Sequence, residues 1–172
     1  MNERRRALVT AAVAIVAAAG GAGLYTWHSY RSSERGELLT HALPDATGRI
    51  QPFEQWRGKV LVVNFWATWC APCREEIPVF VKLQQQYGAR GLQFVGVAID
   101  QPDKVTAFAR NFKMNYPILI GGMDSMEWVR RLGNRNGGLP FTIIADRDGI
   151  IVGSHLGAMT EPTLFSHVGR LL

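Results

Sequence analysis

At 172 residues with 47% apolar side chains, the chain is long enough for one packed domain with something added, and too apolar to be disordered. Nineteen Lys and Arg against fourteen Asp and Glu give a formal charge of +5. Three of those positives are Arg4, Arg5 and Arg6, and no basic run or basic–aromatic interleaving follows, which argues against a nucleic-acid partner.

The N-terminal pattern accounts for the extra length. "MNERRR" (1–6) precedes "ALVTAAVAIVAAAGGAGLYTW" (7–27), a run without a charged side chain and close to the roughly 20 residues that span a bilayer. Positive charge before such a run keeps residues 1–6 in the cytoplasm and sends the remainder out. The small residues around Ala17–Ala19 also suit a cleaved signal, but the run exceeds the usual 7–15 residues of a signal core. Tyr25 and Trp27 stand where an interfacial aromatic belt belongs. The expectation is a single-pass anchor at 7–27 and a polar tether at 28–37, followed by a folded domain over 38–172.

Within that domain the pattern alternates. "KVLVVNFWA" (59–67) is a β-branched and aromatic run, as for a strand buried on both faces. Residues 73–88 carry Ile77, Phe80, Val81, Leu83 and Tyr87 at helical spacing, with Gly88 as a stop. A second buried strand follows at 92–99, then a helix at 103–113, a short strand at 116–121 and a short helix at 125–133. A hairpin is expected from 141–146 and 150–157 around the turn "RDG", and a closing helix at 160–172, capped by Thr160 with Pro162 in its first turn. The order β-α-β-α-β-α-β-β-α predicts an α/β fold with a mixed central sheet and flanking helices.

Both cysteines lie in "VNFWATWCAPCREEIP" (63–78), where the first of these strands gives way to a helix. Unpaired N–H groups and the helix dipole favour a thiolate at such a place. Pro72 is tolerated in a first turn, and Arg74 adds positive charge that Glu75 and Glu76 oppose. A structural disulfide closing so short a loop removes little chain entropy. A structural zinc site lacks a second cysteine pair, and His28, His41, His155 and His167 have no ligand spacing. A CxxC at a strand–helix junction in a βαβ pattern is the thioredoxin-like redox signature. No cofactor is expected.

The run "NFWATWCAPC", with "GVAID", "MNYPI", "GLP" and "FTIIADRDGIIVGSHLG", resembles the membrane-tethered TlpA/ResA-like thiol–disulfide oxidoreductases of the thioredoxin superfamily over roughly residues 40–172. The resemblance implies a thioredoxin-like fold. It makes Cys70 the attacking thiol, Cys73 the resolving one, and Pro140 a cis-proline beside them. Leu139 would then offer its backbone to a substrate strand, and Trp66 and Trp69 would flank the site. A carboxylate close to the site is implied as well, for which Asp100 at a strand end is the nearest candidate. Two positions depart from related patterns. Asn64 stands where thioredoxin has a buried acid, and Phe141 where the family often has Thr.

The resemblance, with the N-terminal run, implies a bacterial inner-membrane protein with its domain in the periplasm or extracytoplasmic space, reducing disulfides of protein substrates. Apocytochrome c haem-attachment cysteines and copper-site cysteines are the candidate substrates, and a transmembrane thiol-transfer protein is the expected donor. The alternative is a copper-carrying assembly factor binding Cu(I) through Cys70 and Cys73, with His155 as a further ligand.

Overall fold

The computed structural model describes Gly21, Gly36, residues 38–122 and residues 124–172, with the backbone alone at Asp124. The expected anchor at 7–27 and tether at 28–37 lie outside the described residues, apart from Gly21 and Gly36. Among the described residues no helix is long and apolar enough to cross a membrane. Residues Gly36–Leu172 form one unit.

Among the described residues of this unit, seven strands and four α-helices follow one another: β1 (Ala42–Pro44), β2 (Ile50–Pro52), β3 (Val60–Trp66), α1 (Ala71–Tyr87), β4 (Leu92–Ala98), α2 (Pro102–Asn111), β5 (Ile118–Ile120), α3 (Asp124–Arg131), β6 (Phe141–Ala145), β7 (Ile151–Leu156) and α4 (Glu161–Val168). The main sheet has the order β5-β4-β3-β6-β7. Strand β4 runs parallel to β3 and β5, whereas β6 runs antiparallel to β3 and β7, so the sheet is mixed. This is the thioredoxin-like arrangement, and the β-α alternation from β3 onward follows the order read from the sequence.

Strand β3 is buried over its whole length because helices cover both faces of the sheet centre. Side chains alternate between the faces. Leu61, Val63 and Phe65 join Phe53, Trp56 and Trp128 in one core cluster. Val60 and Val62 join Phe80 and Leu83 of α1 and Leu164 and Val168 of α4 in another. At the C-terminal end of β3, Trp66 and Ala67 pack with Cys70, Cys73, Ile77, Ala98 and Val105 in a third. The cysteines therefore sit on the core at the end of the central strand.

The structure departs from the sequence reading at short elements. The hairpin β1–β2, each strand three residues long, was not anticipated. Strand β5 begins only at Ile118, because Pro117 has no N–H to give; its carbonyl instead accepts from Gly96 N–H at 2.9 Å. Helix α4 ends at Val168 rather than 172: Gly169 closes it, donating its N–H to the Phe165 carbonyl at 3.0 Å. Thr160 does cap this helix, its side chain accepting from Thr163 N–H at 3.3 Å.

Gly96 sits on β4 opposite Asn64 of β3. A Cβ there would lie 2.9 Å from Trp66 Nε1 and 3.5 Å from Tyr116 Cε2. The Trp66 indole is fully buried and has no room to retreat. The variant Gly96→Ala is expected to lose about 1–3 kcal/mol of unfolding free energy through overpacking. Equilibrium denaturation checks this, and an unchanged midpoint would mean that the indole moves freely.

Candidate active site

Helix α1 begins with Ala71, and Cys70 is its N-cap residue: the Cys70 Sγ accepts from the Cys73 N–H at 3.3 Å. The Pro in the first turn leaves no donor wasted. A disulfide joins Cys70 and Cys73, with Cα atoms 5.3 Å apart. Cys70 keeps 6% of its surface exposed and Cys73 none. The first sulfur is the one a partner can reach.

Loop 67–69 leads into this turn, and Asp100 at the end of β4 holds it. Thr68 donates both its amide, at 3.2 Å, and its hydroxyl to Asp100 Oδ2. Asp100 Oδ1 accepts the Gln101 amide at 2.8 Å. Burial alone would push the Asp100 carboxyl upward; the bonds from Thr68 and Gln101, with Lys104 nearby, outweigh it and hold the group below its ordinary range. Such a carboxylate stays ionised and fixes the loop, a poor state for accepting a proton from a thiol near neutral pH.

The two tryptophans divide. Trp69 is 69% exposed beside Cys70. Trp66 is buried and packs on Phe108, with ring centroids 5.0 Å apart. The Leu139–Pro140 peptide is cis. Pro140 is buried, and half-buried Leu139 packs against the cluster that contains both cysteines. The structure thus brings Cys70, Cys73 and Leu139 together, with Pro140 next to Leu139 in the chain and with Trp69 and Asp100 on the loop and strand end around the first cysteine.

His155 lies on β7 opposite Thr142. Among the described residues no three of His, Cys, Asp and Glu come together as a group that could hold a metal ion.

Sequence reading missed one residue. Glu75 is exposed, but Glu76 is 2% exposed and is not a surface counter-charge to Arg74. It falls one turn beyond Cys73, on the same buried stripe as Ile77, Phe80 and Leu83. That spacing was the available signal. Its Oε1 accepts from Asn64 Nδ2 at 2.8 Å, and its Oε2 from the Met159 amide at 2.8 Å. Asn64 Nδ2 also donates to Thr142 Oγ1 at 3.0 Å. A buried acid is therefore present near the resolving cysteine, supplied by the helix rather than by β3. Burial pushes the Glu76 carboxyl up to about 7, against the bonds from Met159 and Asn64 that favour the ionised form. Burial also raises the Tyr116 hydroxyl, and the Glu76 charge raises it further.

A disulfide-forming CxxC at a helix N-cap, a neighbouring cis-proline and a buried acid one turn on, all on a thioredoxin-like sheet, define a thiol–disulfide oxidoreductase. A family model described as Redoxin matches residues 38–172, and the chain belongs to that family, among its TlpA/ResA-like members. It is 32% identical over 162 residues to the thioredoxin-like protein YneN of Bacillus subtilis, covering 88% of this chain and 91% of the relative. It is also 32% identical over 127 residues to the thiol-disulfide oxidoreductase ResA of Geobacillus thermodenitrificans, covering 73% and 71%. A crystal structure of a thioredoxin-family thiol:disulfide interchange protein from Chlorobium tepidum aligns with a TM-score of 0.70 at 26% identity, over 80% of this chain and 96% of that one.

The raised Glu76 carboxyl sets a pH dependence of stability. The folded value, about 7, lies above the ordinary 4.5, so the unfolded chain releases this proton first as pH rises. Stability is then greatest below the ordinary value and falls as pH climbs through the window to about 7, by on the order of 3 kcal/mol. Glu76→Gln is expected to remove that fall. Denaturation of the oxidised protein from pH 4 to 8 tests this, and parallel curves for both proteins would refute it.

Proposed function

We propose that this protein is a membrane-anchored reductant of protein disulfides outside the cytoplasm, working through Cys70 and Cys73 with Glu76 as proton acceptor. The observation that carries the reading is the asymmetry of the pair: Cys70 is reachable at the helix N-cap, and Cys73 is sealed beside a buried acid.

In the reduced protein the helix N-terminus favours the Cys70 thiolate. It attacks one sulfur of a substrate disulfide, forming a mixed disulfide and releasing the other sulfur as a thiolate that takes up a proton. Leu139 and Pro140 offer the backbone edge against which the substrate chain lies, and Trp69 an apolar surface. Cys73 gives its proton to the Glu76 carboxylate and attacks the Cys70 sulfur. The substrate's second sulfur leaves and is protonated, and the Cys70–Cys73 disulfide forms. Two electrons pass to the substrate, with the Cys73 proton handed on from Glu76 and a second proton drawn from solvent. An acid whose proton affinity lies near ambient pH suits such a transfer. Asp100 acts by fixing the loop before Cys70.

An oxidising compartment demands a source of electrons, which a transmembrane thiol-transfer protein would supply from the cytoplasm. Export and anchoring are supported by Arg4–Arg6 and the charge-free run 7–27. Haem-attachment cysteines of apocytochromes c and cysteines of copper sites are the substrates proposed.

The experiment is trapping in the native membrane. Cys73→Ser leaves a nucleophile that nothing resolves, so mixed disulfides with partners are expected to accumulate and to be identifiable by mass spectrometry. Cys70→Ser is expected to trap nothing and to be inactive. Faster alkylation of Cys73 than of Cys70, or no captured partner with Cys73→Ser, would overturn the assignment. The anchor has its own readout: a mature protein that starts near Gly20 and washes off with salt would replace the anchor by a cleaved signal.

A further inference from the structure

Asn64 occupies the middle of the most buried strand, where a polar side chain is costly unless every atom has a use. It is 1% exposed, and both hydrogens of its amide are spent. One goes to Glu76 Oε1 at 2.8 Å, the other to Thr142 Oγ1 at 3.0 Å. Its oxygen, Oδ1, is buried without a partner among the described residues. An amide that leaves its acceptor orphaned is held there for its N–H₂ group. An apolar residue would fill the same space without that cost.

The partners tie three elements together. Thr142 is the Cα partner of Asn64 across the β3–β6 ladder, so the two side chains share one face of the sheet. Thr142 is fully buried and stands two residues beyond Pro140 on the strand that carries the cis-proline loop. Glu76 belongs to the helix that carries the cysteines. The chain Thr142–Asn64–Glu76 thus runs inside the protein from the strand behind Pro140 to the acid one turn from Cys73.

We propose that Asn64, anchored by Thr142, is a positioning residue that holds the Glu76 carboxylate in its ionised, proton-accepting orientation beside Cys73. The inference rests on the reading of Glu76 as proton acceptor. It explains why an amide stands here rather than an acid: a carboxylate at this position would face the Glu76 carboxylate and could donate nothing to it while both were ionised. The Tyr116 hydroxyl, from the segment before β5, feels the Glu76 charge; β3 presents the Asn64 amide to the carboxylate, the segment before α4 the Met159 N–H, and β6 meets it through the Thr142 bond to Asn64. Arg74 and Glu75 on α1 are exposed.

The test follows the Glu76 carboxyl directly, by pH titration of ¹³C-glutamate NMR signals in the full-length oxidised protein, with Glu76→Gln identifying the resonance. Loss of the donor in Asn64→Ala is expected to raise the midpoint by about one pH unit, a roughly tenfold gain in proton affinity. Thr142→Val, which keeps the shape and frees the anchor, is expected to raise it less, and Thr142→Ser to keep it. In single-turnover exchange, the pH profile of the resolving step should move with the NMR midpoint. A midpoint unchanged in Asn64→Ala overturns the proposal. If that variant does not fold, an unchanged midpoint in Thr142→Val overturns it instead. The underlying reading fails separately: wild-type resolving rates in Glu76→Gln would remove the proton acceptor, and with it any catalytic use of this arrangement, whatever the midpoints did.

Discussion

A carboxylate can be buried in an apolar core only where donors meet it, and the site is organised around meeting that condition for Glu76. The helix face that hides Cys73 continues into Glu76, Phe80 and Leu83, so covering the second thiol draws the acid into the core as well. Its two oxygens are then served by different parts of the fold, the Asn64 amide from the central strand and the Met159 N–H from the segment before the last helix. Two donors are enough to bury the group but too few to keep it fully ionised, and burial leaves its proton affinity near neutrality. That balance is what a proton acceptor for a thiol requires.

The same logic separates the two acids near the cysteines. Asp100 is partly open to solvent and accepts from Thr68 twice and from Gln101, so it stays charged and holds the loop that presents Cys70. Glu76 has fewer donors and deeper burial. One carboxylate fixes geometry and the other is left able to exchange a proton, a division set by environment rather than by residue type. Trp66 and Trp69 show a similar split, three residues apart, one in the core and one in water.

Much of this was legible in the sequence. The apolar runs that become β3 and β4 are long and continuous, and the CxxC between β3 and the helix after it fixed both the redox chemistry and the family resemblance. The hairpin of β1 and β2 was not legible, because each strand has three residues and both end in proline, giving no periodicity to read. Glu76 was passed over because a charge next to Arg74 and Glu75 reads as solvated surface. Its place at the i+3 position from Cys73, on a stripe of core residues, argued the opposite. In the sequence Asn64 shows only as the absence of an acid. That it instead holds an acid twelve residues away follows from packing the helix on the sheet, which no local pattern encodes.

If electron transfer at Cys70 and Cys73 is coupled to the proton on Glu76, the pH dependence of the pair's reduction potential registers the coupling. Two electrons with two protons give a slope of about 60 mV per pH unit. Where Cys70 is a thiolate in the reduced pair only one proton is taken up, and the slope falls to about half that value. The Glu76 carboxylate opposes a thiolate beside it and so sets the pH of this bend. The bend is predicted to move to lower pH in Glu76→Gln. The same curve with and without Glu76 would contradict the account.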